Sequence, residues 1–194
     1  MITISSNGWT YRIVGIDNGT NTVGFVVIDH NLRTGISTVV FAETITADRS
    51  AYLRFPGISA HRSKLHARLA TIKPWIADLM EEHDPDIVGC ESPFAHLGIN
   101  TYATLLKSMD AIEDEVYDYR STTDFVKIPP GKAKKAVCPP GDYKNDKESI
   151  RQFILKDERI VAGSGIVLDR LDEHCIDGIA VARCLALDAA RAFA

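Results

Sequence analysis

The sequence lacks any apolar run long enough to cross a bilayer, and Met1–Gly8 lacks the basic start and apolar stretch of an export signal. A cytosolic chain with no membrane partner is therefore expected, in the host cytoplasm if the source is viral. Cysteine is scarce: Cys90, Cys138, Cys175 and Cys184 lie far apart and form no C-x-x-C pair, so reduced thiols are expected and a zinc site is not. There is no internal repeat and no low-complexity linker. Nor is there an overall excess of positive charge, because the net charge of -4 lacks the basic footprint of many nucleic-acid binders. What is present is ordinary globular material, with 45% hydrophobic and 25% charged residues over 194 positions. That length suits one compact α/β domain, residues 1–194, which buries its own core without disulfides or a structural metal.

Charge is unevenly distributed. Between Arg120 and Arg151, the basic residues Arg120, Lys127, Lys132, Lys134, Lys135, Lys144, Lys147 and Arg151 face only Asp124, Asp142, Asp146 and Glu148, a local excess of +4. Such a segment can meet phosphates, or it can be a solvated lysine-rich face.

Hydrophobic patterning predicts the elements. Ile13–Ile16 and Val23–Ile28 read as a hairpin about Asp17-Asn18-Gly19-Thr20, and Ser37–Thr44 extends it to three antiparallel strands. Leu65, Leu69, Ile72, Ile76 and Leu79 recur at helical spacing, with Pro74 expected to kink or divide that helix. Asp86–Cys90 is a short apolar run suited to a buried parallel strand. Tyr102, Leu105, Leu106, Met109, Ile112 and Val116 form a second helical stripe, and Asp124–Ile128 is a fifth strand ending at Pro129-Pro130. Ala162-Gly163-Ser164-Gly165 reads as a loop, and a helix from about Leu171 to Arg191 closes the chain. The order βββαβαβ with a last helix predicts a ribonuclease H-like α/β fold: a five-stranded mixed sheet, β1-β2-β3 antiparallel and β1-β4-β5 parallel, flanked by helices.

Chemistry belongs at the strand ends. Asp17 follows Ile13-Val14-Gly15-Ile16 and Glu91 follows Ile87-Val88-Gly89-Cys90, and in open sheets ligands collect where parallel strands end. Two carboxylates there invite hard divalent cations such as magnesium, and two such ions about 4 Å apart clamp both oxygens of a phosphoryl displacement. Each acid alone also has a plain structural reading, Asp17 as a turn former and Glu91 as a helix-start charge. The last helix adds His174 and Asp177, i and i+3 neighbours projecting from one face. Imidazole can ligate a metal or take a proton from water. Glu173, four residues before Asp177, competes for the inward position.

Three blocks in order, Ile13-Val14-Gly15-Ile16-Asp17-Asn18-Gly19, Cys90-Glu91-Ser92-Pro93-Phe94 and His174-Cys175-Ile176-Asp177-Gly178-Ile179-Ala180, resemble the signature blocks of the RuvC-type Holliday junction resolvases. The likeness extends from Arg12 to Ala190, while the first ten residues have no counterpart. It implies that Asp17, Glu91, His174 and Asp177 form the catalytic and metal-binding set, with two Mg2+ ions per site and Mn2+ as a substitute. His174 stands where many members have aspartate. The resemblance continues through Pro129-Pro130-Gly131-Lys132-Ala133-Lys134 and Asn145-Asp146-Lys147, where it makes Lys134 and Lys147 phosphate contacts. The intervening Cys138–Tyr143 loop looks longer than usual, which leaves the register of Lys147 open. Phe94 matches an aromatic that stacks on a base near the junction centre; core packing is the alternative.

The implied activity is paired, metal-dependent nicking of four-way or otherwise branched DNA that leaves 5′-phosphate ends. The implied assembly is a homodimer built on the Tyr102–Val116 stripe, unless that stripe is buried within one subunit. Nothing in the sequence indicates a branch-migration helicase partner. A broader flap or fork nuclease and a catalytically silent DNA-binding module share the fold. The hairpin of sugar kinases and chaperone ATPases also reads Gly-Ile-Asp-x-Gly-Thr, but these need a second such hairpin and roughly twice the length to enclose a nucleotide.

Overall fold

Thr10–Asp17 (β1) buries both faces, as a central strand must: Tyr11 and Ile13 enter one core cluster, Val14 and Ile16 the other. The computed structural model describes residues 9–94, 98–139 and 146–193. Residues 1–8 fall outside the described residues, as do Pro140–Tyr143 of the predicted loop, Lys144 and Asn145.

β2 (Thr22–Asn31) and β3 (Ser37–Thr46) continue from β1 as antiparallel neighbours, and β4 (Ile87–Glu91) and β5 (Asp124–Ile128) run parallel on its other side. The sheet order is β5-β4-β1-β2-β3-β6. The sixth strand corrects the expected five. β6 (Ile160–Ala162) pairs in parallel with Ser37–Val39 and takes in Ala162, which had read as loop. Only Ile160 of its three residues is buried, so it has no alternation to be recognised by. It exists because it caps the exposed edge of β3, framed by hydrogen bonds from Ser37 N to Arg159 O (2.7 Å) and Gly163 N to Val39 O (2.8 Å).

Helices cover both faces. On one lie α5 (Pro130–Val137), α6 (Lys147–Lys156) and α7 (Glu173–Phe193), packed on Tyr11, Ile13, Val26 and Ile28. On the other lie α3 (Lys64–His83) and α4 (Ile99–Tyr119), packed on Val14, Ile16, Phe25 and Val27. Two short helices, α1 (Arg49–Arg54) and α2 (Pro56–His61), link β3 to α3. Of the two outcomes expected at Pro74, division does not occur: α3 runs through it as one element. The proline ring is on the exposed side, while Ile72, Ile76, Leu79 and Met80 are buried against the sheet and hold both halves. Each such side chain contributes roughly 1.5–3 kcal/mol, enough to offset the missing helix hydrogen bond.

The α4 stripe divides: Tyr102, Leu105 and Leu106 are only half-buried. Met109, Ile112 and Val116 are buried in the chain's own core, because they fill the space over Val88 and Cys90. They are not available as a subunit interface.

Candidate active site

Strand alternation aims the first two acids. Tyr11, Ile13 and Gly15 of β1 face α7, and so, two residues on, does Asp17; in β4, Ile87 and Gly89 face the same way, as does Glu91. The parallel register pairs Ile16 with Cys90, which makes Asp17 and Glu91 neighbours at the C-terminal ends of adjacent strands.

α7 reaches them because glycine lines the crossing. A Cβ on Gly15 would stand 2.1 Å from Gly178 O, and one on Gly24 would stand 2.5 Å from His174 O. Only glycine at these positions lets the helix backbone rest on β1 and β2, which lowers the first turns of α7 onto Asp17. Asp172 starts the helix: its Oδ1 accepts from Cys175 N at 2.9 Å and from Thr44 Oγ1 at 2.9 Å, tying the cap to β3.

The first turn then divides its residues. His174 turns inward, with Nδ1 2.6 Å from Asp17 Oδ2, and its Nδ1–H donates to the carboxylate. Glu173 turns outward, more than half exposed, and its Oε2 accepts from Lys147 Nζ at 2.6 Å. The inward position contested in the sequence therefore belongs to His174. Asp177, one turn further on, carries its charge to the same place.

Electrostatics reflect the crowding. Burial, then the nearby charges of Asp17 and Asp177, push Glu91 up to about 8. Burial and Asp17 also raise Asp177, while Lys147 and Lys134 pull it back. The hydrogen bond to Asp17 raises His174 and favours its imidazolium form. Among the described residues these side chains do not close into a ready-made three-ligand cage, and Asp17 is engaged with His174. The donor set is nevertheless that of a hard divalent cation, three carboxylates and one imidazole, and its raised carboxyl pKa values mark a site short of positive charge.

Lys134 from α5 and Lys147 from α6 both reach this field: Lys134 lowers Glu91 and Asp177, and Lys147 feels Asp177 and Asp17. A cleft of about 190 Å3 beside Asp177 is lined by Lys147, Glu148, Arg151, Glu173 and Ile176. Phe94 is 55% exposed just past β4, so the core-packing alternative does not hold.

The local charge excess from Arg120 to Arg151 does not make one basic rim. Arg120 pairs with Asp84 (2.9 Å) at the far end of the sheet, Lys127 with Glu113 (2.8 Å) and Lys132 with Asp188 (2.7 Å). Arg151 donates to the carbonyls of Leu171 and Asp169. Each partner comes from another segment, beyond the reach of a local count.

Sequence reasoning also missed the fastening of the turn after Asp17. Asn18 Nδ2 donates to Leu105 O at 3.0 Å, and Ser108 Oγ donates to Gly19 O at 2.9 Å, both to or from α4. Asn18-Gly19 signals a turn in sequence, but nothing local names its partners.

A mixed sheet with three antiparallel strands, two parallel strands beyond them and a C-terminal helix laid across the strand ends defines a ribonuclease H-like fold. Within that class the likeness is to the RuvC resolvases. RuvC of Thermus thermophilus superposes with a TM-score of 0.68 over 93% of this chain and 96% of that one, at 15% identity. The yeast mitochondrial Holliday junction resolvase Ydc2 gives 0.62 over 94% and 82% at 13% identity, and the fowlpox virus Holliday junction resolvase 0.53 over 93% and 99% at 15%. In sequence, the crossover junction endodeoxyribonuclease RuvC of Burkholderia thailandensis is 33% identical over 95 residues, which are 49% of this chain and 43% of that protein. The chain thus matches less than half the length of this curated relative. No protein-family model matches.

Proposed function

We propose that the chain is a divalent-cation-dependent endonuclease that resolves four-way DNA junctions, as a homodimer, by paired hydrolytic nicks leaving 5′-phosphate ends. The observation that carries this reading is the convergence of Asp17, Glu91, His174 and Asp177 at one end of the sheet, crowded enough to push Glu91 up to about 8. Asp17, Glu91 and Asp177 provide oxygen ligands, and His174 a nitrogen, for two Mg2+ ions, with Mn2+ as a substitute. Bound there, such ions lower the pKa of the attacking water and stabilise the attacking and leaving oxygens of an in-line displacement.

The chain's own residues do the rest. Asp17 orients the His174 ring through Nδ1, which leaves Nε2 alone to serve either as the metal ligand or, in the neutral ring, as acceptor of the attacking water's proton. His174→Asp separates the two roles of this residue: cutting survives if imidazole serves as ligand and is lost if it serves as base. Lys134 offsets negative charge where a scissile phosphate would sit, and Lys147, released from Glu173, meets a neighbouring phosphate. Phe94 offers its exposed ring to an unpaired base at the branch point.

The named activities of the Burkholderia relative and of the yeast and fowlpox neighbours support the same assignment, as does the solved complex of Thermus thermophilus RuvC with a Holliday junction substrate. The deciding experiment offers the protein an immobile four-way junction beside matched duplex, single-strand and flap DNA, first with Mg2+ and then with EDTA. Paired symmetric junction nicks that vanish in EDTA are expected. Equal cutting of flaps would replace the reading with a general branched-DNA nuclease, and binding without cutting would replace it with a DNA-binding module. Sedimentation at micromolar concentration tests the assembly, and a monomer there would contradict the homodimer.

A further inference from the structure

One segment has a charge pattern unlike the rest of the chain. Residues 49–77 contain six of the 22 Lys and Arg residues, Arg49, Arg54, Arg62, Lys64, Arg68 and Lys73, and none of the 26 Asp and Glu. Lys73 is paired with Glu115 at 2.7 Å. Arg54, Arg62, Lys64 and Arg68 have no carboxylate partner among the described residues. The first three are exposed. Their companions are aromatic: Lys64 Nζ lies 5.4 Å from the centre of the Tyr52 ring, Arg68 5.5 Å from the same ring, and Arg54 5.9 Å from Phe55. These contacts orient the cations without neutralising them. The contrast is with Arg120, Lys127, Lys132 and Lys147, each of which is already held by an acid of this chain.

The topology brings this segment to the active-site end of the sheet. Asp17 pairs with Gly24, Gly24 with Thr44, and Thr22 with Thr46, so β3 ends beside the close of β1. Ala47 N donates to Asn21 O at 2.6 Å, which fixes that exit to the turn after Asp17. α1 begins there. α3 then starts at Lys64 and runs the length of the sheet to His83, whose carbonyl accepts from Arg12 at the opposite end. The basic residues thus flank the Asp17–Glu91 end on the α3 side, across the sheet from α7 and Lys147.

We infer that Arg54, Arg62, Lys64 and Arg68, on the α1–α2–α3 segment, form a second phosphate-binding surface that holds a duplex arm of the DNA substrate as it leaves the cleavage site. The inference rests on the nuclease reading above. It explains how a chain of net charge -4 holds a polyanion: the site's own acids repel phosphates, and cations not already neutralised must lie beside them to counter that. A membrane surface or an acidic protein would meet the same charges, but neither is drawn to the end of the sheet that carries the phosphodiester-cutting chemistry.

The test uses the full chain carrying Arg54→Ala, Arg62→Ala and Lys64→Ala together, all exposed positions, and measures junction binding in EDTA as a function of salt. Each lost phosphate contact reduces the slope of log K against log salt by about 0.9, so a slope shallower by about 3 is expected, with affinity down by roughly 10- to 100-fold at moderate salt. A control with Arg33→Ala and Lys156→Ala, exposed at the opposite end of the sheet, should bind as the wild type does. Replacing the two arginines by lysine should restore most of the slope. An unchanged Kd and slope in the triple variant would overturn the inference while leaving the nuclease reading intact, and so would an equal loss in the far-end control. If the wild type bound no DNA of any form, both would fall.

Discussion

At its first turns α7 holds His174 and Asp177 beside Asp17 and Glu91, whereas about two turns further on it buries Arg183 against Gly35 and Ser37. Both regions bring ionisable groups inside, but the surroundings differ. Arg183 is 1% exposed; its Nη1 donates to Ser37 Oγ (2.9 Å) and Gly35 O (3.1 Å), and His30 Nδ1 lies 2.9 Å from the same hydroxyl. That cluster is sealed and fastens α7 to the β2–β3 turn. The acidic end opens to solvent beside the Lys147 cleft, and its carboxylates repel one another. The closed cluster serves architecture through the bonds of Arg183 Nη1 and His30 Nδ1, although Arg183 Nε and His30 Nε2 have no hydrogen-bond partner among the described residues, while an open cluster that repels itself is prepared for counter-ions.

The largest expected effect sharpens this contrast on the open side. Glu91→Gln should cut junction cleavage by about 10^3-fold or more, roughly 4 kcal/mol of barrier, with folding intact by circular dichroism. On the sealed side, Arg183→Ala should leave a cavity and remove the donor to the Gly35 carbonyl, while Ser37 Oγ keeps His30, lowering unfolding stability by about 3 kcal/mol in urea titrations with the cleavage rate of the folded protein unchanged. A lost cleavage rate in that variant would break the distinction. Lys134→Ala should weaken binding and cleavage together by about 10-fold, near 1.4 kcal/mol, measured by titration and single-turnover kinetics.

Smaller effects appear in pH dependence, with opposite signs at the two ends. Burial, then Arg183, lowers His30 to about 4, so its stabilising contribution is present above its ordinary 6.5 and is lost as the pH falls towards 4. Glu91 is raised from 4.5 to about 8, so its contribution is present below 4.5 and is lost as the pH rises through 8. In metal-free buffer His30→Gln should flatten the acid limb of the stability profile and Glu91→Gln the alkaline limb. Added Mg2+ should raise the wild-type melting temperature most at the alkaline end, because it takes up the charge that Glu91 avoids.

The parts legible in sequence are those set by local period. Alternation in β1 and β4 aims Asp17 and Glu91 at one face, and the i, i+3 spacing of His174 and Asp177 puts them on one side of α7. The illegible parts depend on partners distant in the chain. His174 points inward because Asp17 receives it and Lys147 draws Glu173 away, a choice made by residues 157 and 26 positions off. β6 forms because β3 has an open edge. The pairing of Lys127 with Glu113 and of Lys132 with Asp188 cancels charge that the linear sequence leaves standing. The surplus of Arg54, Arg62 and Lys64 stands in the sequence, in a stretch without acids, but that no distant carboxylate among the described residues pairs with them is visible only in the folded chain.

The most direct test of the central claim is a paired measurement on Asp17→Asn: junction affinity in EDTA and junction cleavage in Mg2+, each beside the wild type. Affinity within about twofold of wild type together with loss of cleavage by about 10^3-fold or more is expected, since the change removes the proposed metal ligand and the partner that orients His174 while leaving the cationic surfaces in place. Retained cleavage by Asp17→Asn would contradict the assigned site, because the carboxylate around which the whole cluster is gathered would then be dispensable.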